Sequence, residues 1–451
     1  MPAFRSLITG KASCTPARLA TAVVLLGFLT SCAPDQSAPT APTPRANASR
    51  QSDFSHRDLA SPGWQQTARN LVAQAAFSPL PGGRAYAILS VAQYLAVQRA
   101  EASIRRDGFG EGSARHEDDN GSRHRRATER GAVAGASVVT LSYLFPTQMQ
   151  ALEDTVSAQA SVGTRKQQHA FAAGEAIGRA VGAEMVTRAT GDHFNDPNTA
   201  VPPVGPGFWT SSAVPPLPVA GGTLPGTTPW FLNSASQFRP GPPPAFGSPT
   251  FNAALAEIRQ ISDTRTADQI AIATFWAFNP GTITAPGFWL SVPTDSGWAA
   301  QHDFSEREMT HFYALASATM FDATIGCWDA KLTYWLIRPW RADPAITTLA
   351  TVGKPNHPSY PSGHSCSSSA AAEVLVAFFP EKRVQLDAMV VQAGLSRMYA
   401  GIHYRFDIDA GQALGRSVAH FTIAADASGR SVLTPRHRRG DGEHEGEDGQ
   451  Q

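Results

Sequence analysis

Three short segments in the second half of the chain contain the residues that decide its fold and chemistry. They read KLTYWLIRP at 331–339, PSGH at 361–364 and SRMYAGIHYRFD at 396–407. We expect the segments to meet in one site for an oxyanion, because they concentrate anion-binding and proton-transfer groups. The candidate groups are Lys331, Arg338, Ser362, Gly363, His364, Arg397, His403 and Asp407.

The first two segments each have a feature that favours a bound anion. Lys331 and Arg338 are seven residues apart, which is about two turns of a helix. We predict that both lie on one helix face, where two cations repel each other unless an anion lies between them. The PSGH segment is predicted to open a helix, whose free N–H groups and dipole favour an anion. There Gly363 lets the backbone approach closely, and Ser362 adds a hydroxyl donor.

The third segment adds Arg397 and a histidine–carboxylate pair. Asp407 follows His403 by four residues, so we predict that it lies one helical turn away and orients the imidazole. With His364, the set suits a tetrahedral or trigonal-bipyramidal oxyanion that has one histidine on its axis. Each segment alone also has a simpler explanation. The first could be a solvated helix face, the second a chance match, and the third a structural His–Asp pair.

Apolar residues recur at helical spacing along most of the chain, and strand alternation is scarce. A capping box at 305–308 opens a helix, and a helix then runs through Lys331 and is stopped by Pro339. We expect a helix break at 79–83, a solvated loop at 105–130 and an irregular Pro- and Gly-rich stretch at 202–249 that packs between two bundles. Further helices are predicted at 64–76, 84–100, 132–144, 165–189, 365–379, 381–395 and 403–424.

The composition excludes several classes of protein. Apolar residues make up 42% of the 451 residues and charged residues 16%, which is too apolar for a wholly disordered chain. Lys+Arg and Asp+Glu both total 37, so a general basic surface is disfavoured and no nucleic-acid partner is expected. Four cysteines exclude a disulfide-built scaffold.

The N-terminus resembles a bacterial lipoprotein signal. Arg5, Lys11 and Arg18 precede an apolar run at 19–29, which is too short to span a bilayer and is typical of a secretory signal. The run ends in Leu-Thr-Ser-Cys at 29–32, and Cys32 is the candidate lipidation site. The alternative is an ordinary signal peptide with a chance cysteine. We expect export to the bacterial cell envelope, with membrane attachment only through the lipid.

These patterns predict an all-α fold of two packed helical bundles with long Pro/Gly-rich loops and an active site in the C-terminal bundle. The predicted layout is a lipoprotein signal peptide at 1–31, a flexible tether at 32–55, an N-terminal bundle at 56–200, a connecting loop at 201–250, a C-terminal bundle at 251–425 and a disordered tail at 426–451.

The three segments resemble those of the type 2 phosphatidic acid phosphatase/vanadium-dependent haloperoxidase superfamily. They match Lys-x6-Arg-Pro, Pro-Ser-Gly-His and Ser-Arg-x5-His-x3-Asp at every fixed position. The chain is also similar to the bacterial vanadium haloperoxidase-like branch at Arg265-Thr266, Phe275-Trp276 and 328–331. That branch has a large two-bundle body, and the resemblance extends over about residues 60–425.

The resemblance implies a role for each candidate residue. His403 would be the axial ligand of vanadium, or the nucleophile of a phosphatase, and His364 the acid–base residue, with Asp407 orienting His403. The equatorial oxygens of vanadate or phosphate would be held by Lys331, Arg338, Ser362, Gly363 and Arg397.

Three functions follow as hypotheses. The first is a vanadium-dependent haloperoxidase that uses vanadate to oxidise halide, with bromide or iodide favoured, by hydrogen peroxide. The second is an acid phosphatase that acts through a phosphohistidine on a small organic phosphate, because phosphate and vanadate are nearly isosteric. The third is a non-catalytic surface lipoprotein that retains the pocket as an oxyanion binder.

Four further residues bear on these hypotheses. His357 is the halide-tuning candidate, because in the family a histidine at this position resembles bromoperoxidases. The haloperoxidases pair the histidine of the second motif with an aspartate, and Asn279 is the nearest counterpart here, which would stabilise an imidazolium less well. Cys327 and Cys366 would either form a disulfide between two site helices or remain buried thiols.

Overall fold

Side-chain caps determine where several helices begin. Ser305 and Glu308 form the predicted capping box at the start of the longest helix, and Thr164 and Thr266 each form another with a glutamine three residues later. In each case the hydroxyl accepts a backbone N–H that would otherwise lack a partner in the first turn. The capping-box prediction at 305–308 is therefore confirmed.

The computed structural model describes residues 59–106 and 119–434. Within these ranges the only extended pairing is an isolated bridge between Phe208 and Leu336, and the prediction of an all-α fold is confirmed. The helices are α1 Ala60–Gln74, α2 Pro79–Arg106, α3 Asp119–Leu144, α4 Met149–Ala160, α5 Arg165–Thr190, α6 Pro249–Thr264, α7 Ala267–Phe275, α8 Thr284–Asp295, α9 Trp298–Gln301, α10 Glu306–Tyr334, α11 Pro339–Ala342, α12 Gly363–Phe378, α13 Arg383–Tyr399 and α14 Arg405–Ala427.

Two segments that were predicted to be irregular are helical where the structure describes them. The expected break at 79–83 is the first turn of α2, where a proline loses no hydrogen bond because the first N–H groups have no helical partner. The loop predicted at 105–130 is also wrong where the structure describes it, since α2 runs to Arg106 and α3 begins at Asp119.

Ordered packing continues past 426, the predicted start of the tail. Helix α14 runs to Ala427, Leu433 is 1% exposed, and its carbonyl accepts a hydrogen bond from Gln98. The rest of the predicted tail, together with the predicted signal peptide and tether, lies outside the described residues.

Helix α10 runs through the middle of the body. It packs against α2 on one side and against α12 and α14 on the other, and most of its length is buried. The main hydrophobic core extends from Trp64 to Leu433 along the chain, so both predicted bundles contribute to one core. Their boundaries remain a prediction.

The Pro-rich stretch between α5 and α6 is irregular, apart from a short 3₁₀ turn at Leu224–Gly226. Buried Asp322 of α10 fixes it by accepting the backbone N–H groups of Trp230, Phe231 and Leu232 at 2.7–3.0 Å. The stretch is therefore held against the helix that leads into the candidate site.

Two helix pairs make close backbone contact through glycines. In the first pair, a Cβ at Gly178 of α5 would lie 2.1 Å from the carbonyl oxygen of Ala132 in α3. In the second, a Cβ at Gly415 of α14 would lie 2.2 Å from the carbonyl oxygen of Cys366 in α12. Only glycine fits such contacts, and the second one packs the first turn of α12 against the middle of α14.

None of the helices in 59–106 and 119–434 is long and apolar enough to cross a membrane.

We predict that Gly178→Ala lowers the free energy of unfolding by about 1–3 kcal/mol, the usual cost of overpacking. The clash with α3 should outweigh the roughly 1 kcal/mol by which alanine favours a helix over glycine. The matched control is Gly63→Ala on the exposed face of α1, where an added Cβ has no neighbour within 4 Å and should stabilise. Urea denaturation would measure both, and equal stabilisation by the two variants would refute the close contact.

Candidate active site

The structure brings the predicted site residues together at the ends of five helices. Lys331 lies in the last turn of α10, Arg338 caps α11, Ser362 caps α12, and Arg397 lies in the last turn of α13. His403 and Asp407 flank the start of α14. Exposure is at most 3% for Lys331, Arg338, Ser362, Arg397, His403 and Asp407, whereas Gly363, His364 and His357 are partly exposed.

Lys331 and Arg338 do not share a helix face, so the reason given for their proximity is wrong. Helix α10 ends at Tyr334, and Trp335 turns the chain with φ 50° and ψ 32°. Arg338 then has extended backbone before the short helix α11. The two cations converge because the chain reverses between them.

Lys331 is held by backbone carbonyls. Its Nζ donates to the carbonyl oxygens of Pro358 at 2.8 Å and Ser359 at 2.9 Å, and also to that of Pro361. Burial lowers the pKa of Lys331 to about 8, with Arg338 as a further cause, so it is mostly protonated at neutral pH. It therefore ties α10 to the segment before α12 and contributes a buried positive charge.

Arg338 determines the protonation of two histidines. Its Nη1 lies 3.0 Å from Nε2 of His403, and its Nη2 lies 3.0 Å from Nδ1 of His357. A guanidinium can only donate, so both ring nitrogens accept and carry no proton. Burial, followed by the charges of Arg338 and Lys331, holds the pKa of His403 well below its usual value, which agrees with a neutral ring.

Asp407 fixes the other side of His403. Its Oδ2 accepts the His403 Nδ1–H at 2.8 Å and the Tyr404 backbone N–H at 3.1 Å. Burial raises the pKa of Asp407 to about 6, so the carboxyl group is ionised at neutral pH. His403 precedes α14, and Asp407 lies in its first turn. The predicted pairing is therefore present. It forms across the start of α14, and the two residues are not one turn apart within a helix.

The three cations have no carboxylate partner of their own. No ion pair within 4.0 Å of Lys331, Arg338 or Arg397 is found among the described residues. Arg397 donates to Ser396 Oγ at 2.9 Å and to the Ala273 carbonyl at 3.1 Å. Burial lowers its pKa to about 9, which still leaves it charged. Since Asp407 is the one carboxylate near them in the part of the chain that the structure describes, the buried cluster has a net positive charge.

The placement of Asn279 as the partner of His364 is wrong. Asn279 is exposed and donates to the Thr351 carbonyl at 2.7 Å. His364 Nε2 lies instead 2.9 Å from the carbonyl oxygen of Trp276, which can only accept, so Nε2 carries the proton and Nδ1 does not. The end of α7 thus provides carbonyls to both His364 and Arg397, at the negative end of the helix dipole.

The ring of partly exposed His357 packs beside that of buried Trp328. Their rings are 4.9 Å apart, and the Trp328 Nε1–H donates to the carbonyl of Ala220 in the irregular stretch. Burial and the neighbouring cations hold the pKa of His357 well below its usual value. A Cβ at Gly363 would lie 3.2 Å from the Trp328 ring, so glycine leaves room at the start of α12.

Cys327 and Cys366 are free, buried thiols in this structure, which corrects the disulfide alternative. The Cys327 thiol lies 3.7 Å from the Pro361 carbonyl, behind the segment that also holds Lys331. Burial raises the pKa of Cys366 well above its usual value. Cys32, the candidate lipidation site, lies outside the described residues.

Sequence reasoning missed two groups that hold residues of the site, the Trp276 carbonyl and the Ser359 hydroxyl. The Trp276 carbonyl belongs to the backbone, and no side-chain pattern marks it. Ser359 precedes the PSGH segment, and its Oγ lies 2.5 Å from Asp407 Oδ2. Its position three residues before Ser362 was the available signal.

Comparison with known proteins agrees with this geometry. Residues 308–428 match the PAP2 superfamily. The crystal structure of the first bacterial vanadium-dependent iodoperoxidase is similar, with a TM-score of 0.66 at 24% sequence identity over 81% of this chain and 95% of that chain. Apo- and holo-type bacterial vanadium-dependent chloroperoxidase give TM-scores of 0.59 and 0.57 at 15% identity, over 77% and 78% of this chain and 93% and 94% of theirs.

The matched residues include all three motif segments. Residues 308–428 are therefore similar to the PAP2 superfamily, and the fold of the chain is similar to that of the bacterial vanadium-dependent haloperoxidases.

Proposed function

We propose that the protein is a vanadium-dependent haloperoxidase that oxidises bromide or iodide with hydrogen peroxide. The observation that carries the proposal is a buried group of three cations beside an unprotonated histidine nitrogen, His403 Nε2. Such a group favours a multiply charged oxyanion that accepts hydrogen bonds and takes one nitrogen ligand.

The residues present fit vanadate. The Arg338 contact shows that the Nε2 lone pair of His403 points into the cationic cluster. Ser362 caps α12, so its hydroxyl and the first N–H groups of that helix lie at the positive end of the dipole. Vanadate would be held by His403 as the nitrogen ligand and by Lys331, Arg338, Ser362, Gly363 and Arg397 through charge and hydrogen bonds. When bound, it supplies a Lewis acid that activates hydrogen peroxide toward halide without a change in oxidation state.

His364 is the residue placed to move protons. The Trp276 carbonyl holds its Nε2–H, so Nδ1 is free to accept a proton and return it. Burial and the charge of Arg397 hold the pKa of His364 well below its usual value, which favours the neutral ring that can accept. Oxidation of halide by hydrogen peroxide to hypohalous acid and water consumes one proton, and His364 can deliver it.

His357 is proposed to influence which halide is used. It is partly exposed beside Trp328, and its Nδ1 accepts from Arg338. An exchange at this position would therefore alter both the polarity beside Trp328 and the orientation of Arg338.

An acid phosphatase on the same residues is the second candidate. The match of residues 308–428 to the PAP2 superfamily favours it, and the same cations would hold phosphate, which is nearly isosteric with vanadate. In that reaction His403 Nε2 would attack phosphorus to form a phosphohistidine, and protonated His364 would donate its proton to the leaving oxygen.

We predict that His403→Ala abolishes stable orthovanadate binding, because the other residues offer only hydrogen bonds and charge. Calorimetric titration of the purified protein would measure the loss. The control is His169→Ala, since His169 is exposed on α5. Unchanged affinity in the His403 variant would count against the whole site.

We predict that orthovanadate inhibits any phosphatase activity and produces bromide- or iodide-dependent oxidation in the same preparation. Both activities use the same cations, so Arg397→Ala should reduce each by about tenfold or more, as expected for a lost charge-assisted bond. A peroxide-dependent bromination assay and a phosphatase assay would be run on one sample. Phosphatase activity without halide oxidation at any vanadate concentration would select the second candidate.

We propose that the protein is exported to the cell envelope and attached to the membrane by lipid on Cys32. We predict that Cys32→Ser leaves the chain uncleaved or releases it into the soluble periplasmic fraction, because a serine hydroxyl does not accept the thioether-linked lipid. Fractionation and mass spectrometry of the N-terminus would measure this. Normal processing with retention in the membrane would exclude the lipid anchor.

A further inference from the structure

We propose that Ser359 is a positioning residue that sets the tautomer of His403 through Asp407. The inference rests on the proposed function, because it concerns how the same nitrogen is presented to an oxyanion. Ser359 is fully buried, and its Oγ–H donates to Asp407 Oδ2 at 2.5 Å.

All the donors to the Asp407 carboxylate meet at one oxygen. Oδ2 accepts from Ser359 Oγ, His403 Nδ1 and the Tyr404 N–H. The other oxygen, Oδ1, is buried and has no hydrogen-bond partner among the residues that the structure describes. The orientation of the carboxylate is therefore fixed from one side, and Ser359 supplies its shortest hydrogen bond.

This arrangement decides which nitrogen of His403 faces the cations. With Oδ2 held in place, the carboxylate accepts the proton of Nδ1, and the lone pair remains on Nε2 next to Arg338. A carboxylate that could rotate toward the position of Oδ1 would hold the Nδ1–H less well. The ring would then lose part of its preference for the tautomer that can bind through Nε2.

Ser359 is itself held rigidly by groups of the site. Its N–H donates to the Leu336 carbonyl at 2.9 Å, and its carbonyl accepts from Lys331 Nζ at 2.9 Å. The residue thus connects the segment after α10, the cation Lys331 and the carboxylate that orients His403. Groups that orient a ligand histidine in this way commonly contribute about 10- to 100-fold to affinity.

The test compares Ser359→Ala with Ser369→Ala in the full-length protein. Ser369 is 1% exposed in α12, and its hydroxyl has no hydrogen-bond partner within 59–106 and 119–434, so this control removes the same atom from a similar environment. Orthovanadate affinity is measured by calorimetry, and the ring ¹⁵N shifts of His403 are measured without vanadate. Thermal unfolding of both variants reports any purely structural effect.

We expect Ser359→Ala to weaken orthovanadate binding by about tenfold or more and to move the His403 ¹⁵N shifts away from the Nδ1–H form, while Ser369→Ala changes neither. Ser359→Cys, which keeps a weak donor, should give an intermediate affinity and serves as the comparison if the alanine variant does not fold. In an Asp407→Asn background the Ser359→Ala effect should largely disappear, because the two residues act in series.

A lowered melting temperature with wild-type affinity and unchanged ¹⁵N shifts would reduce Ser359 to a structural residue and overturn the inference. Failure of the unmodified protein to bind either orthovanadate or phosphate would instead contradict the proposed function. The two failures are therefore distinguishable.

Discussion

The site depends on three buried cations that no carboxylate within residues 59–106 and 119–434 neutralises individually. Lys331, Arg338 and Arg397 are at most 1% exposed, and backbone carbonyls accept most of their hydrogen bonds. Carbonyl dipoles make such burial tolerable without cancelling the charge, so the cluster retains a strong preference for an anion. An anionic ligand of high charge would supply the missing compensation, and this is why the chemistry is assigned to oxyanions.

Close helix packing makes this concentration of charge possible. Gly411 and Gly415 let α14 approach the backbone of α12, and the Ser362 N–H donates to the Asp407 carbonyl at 2.9 Å. The two helix starts are thereby fixed against each other, with the PSGH segment on one and the His403–Asp407 pair beside the other. Helix α10 brings Lys331 to the same place from the core.

The sequence predicted the all-α fold, the capped start of α10, the helix opened by PSGH and the residues of the candidate site. The backbone path that brings these residues together was predicted less well. The left-handed Trp335 and the start of α14 depend on tertiary packing and have no strong local pattern. The contact of His364 with the Trp276 carbonyl could not be predicted for a different reason. Any residue type can supply a backbone acceptor, so reasoning from side chains led to Asn279 instead.

The most direct test of the account is the free energy of unfolding with and without orthovanadate. A ligand that binds only the folded protein stabilises it by about 2.7 kcal/mol at a hundred times its dissociation constant. The buried cationic cluster predicts a rise in unfolding free energy that increases with orthovanadate concentration, and phosphate should produce a similar rise. Unfolding curves that do not change with either anion would contradict the assignment of this cluster as an oxyanion site.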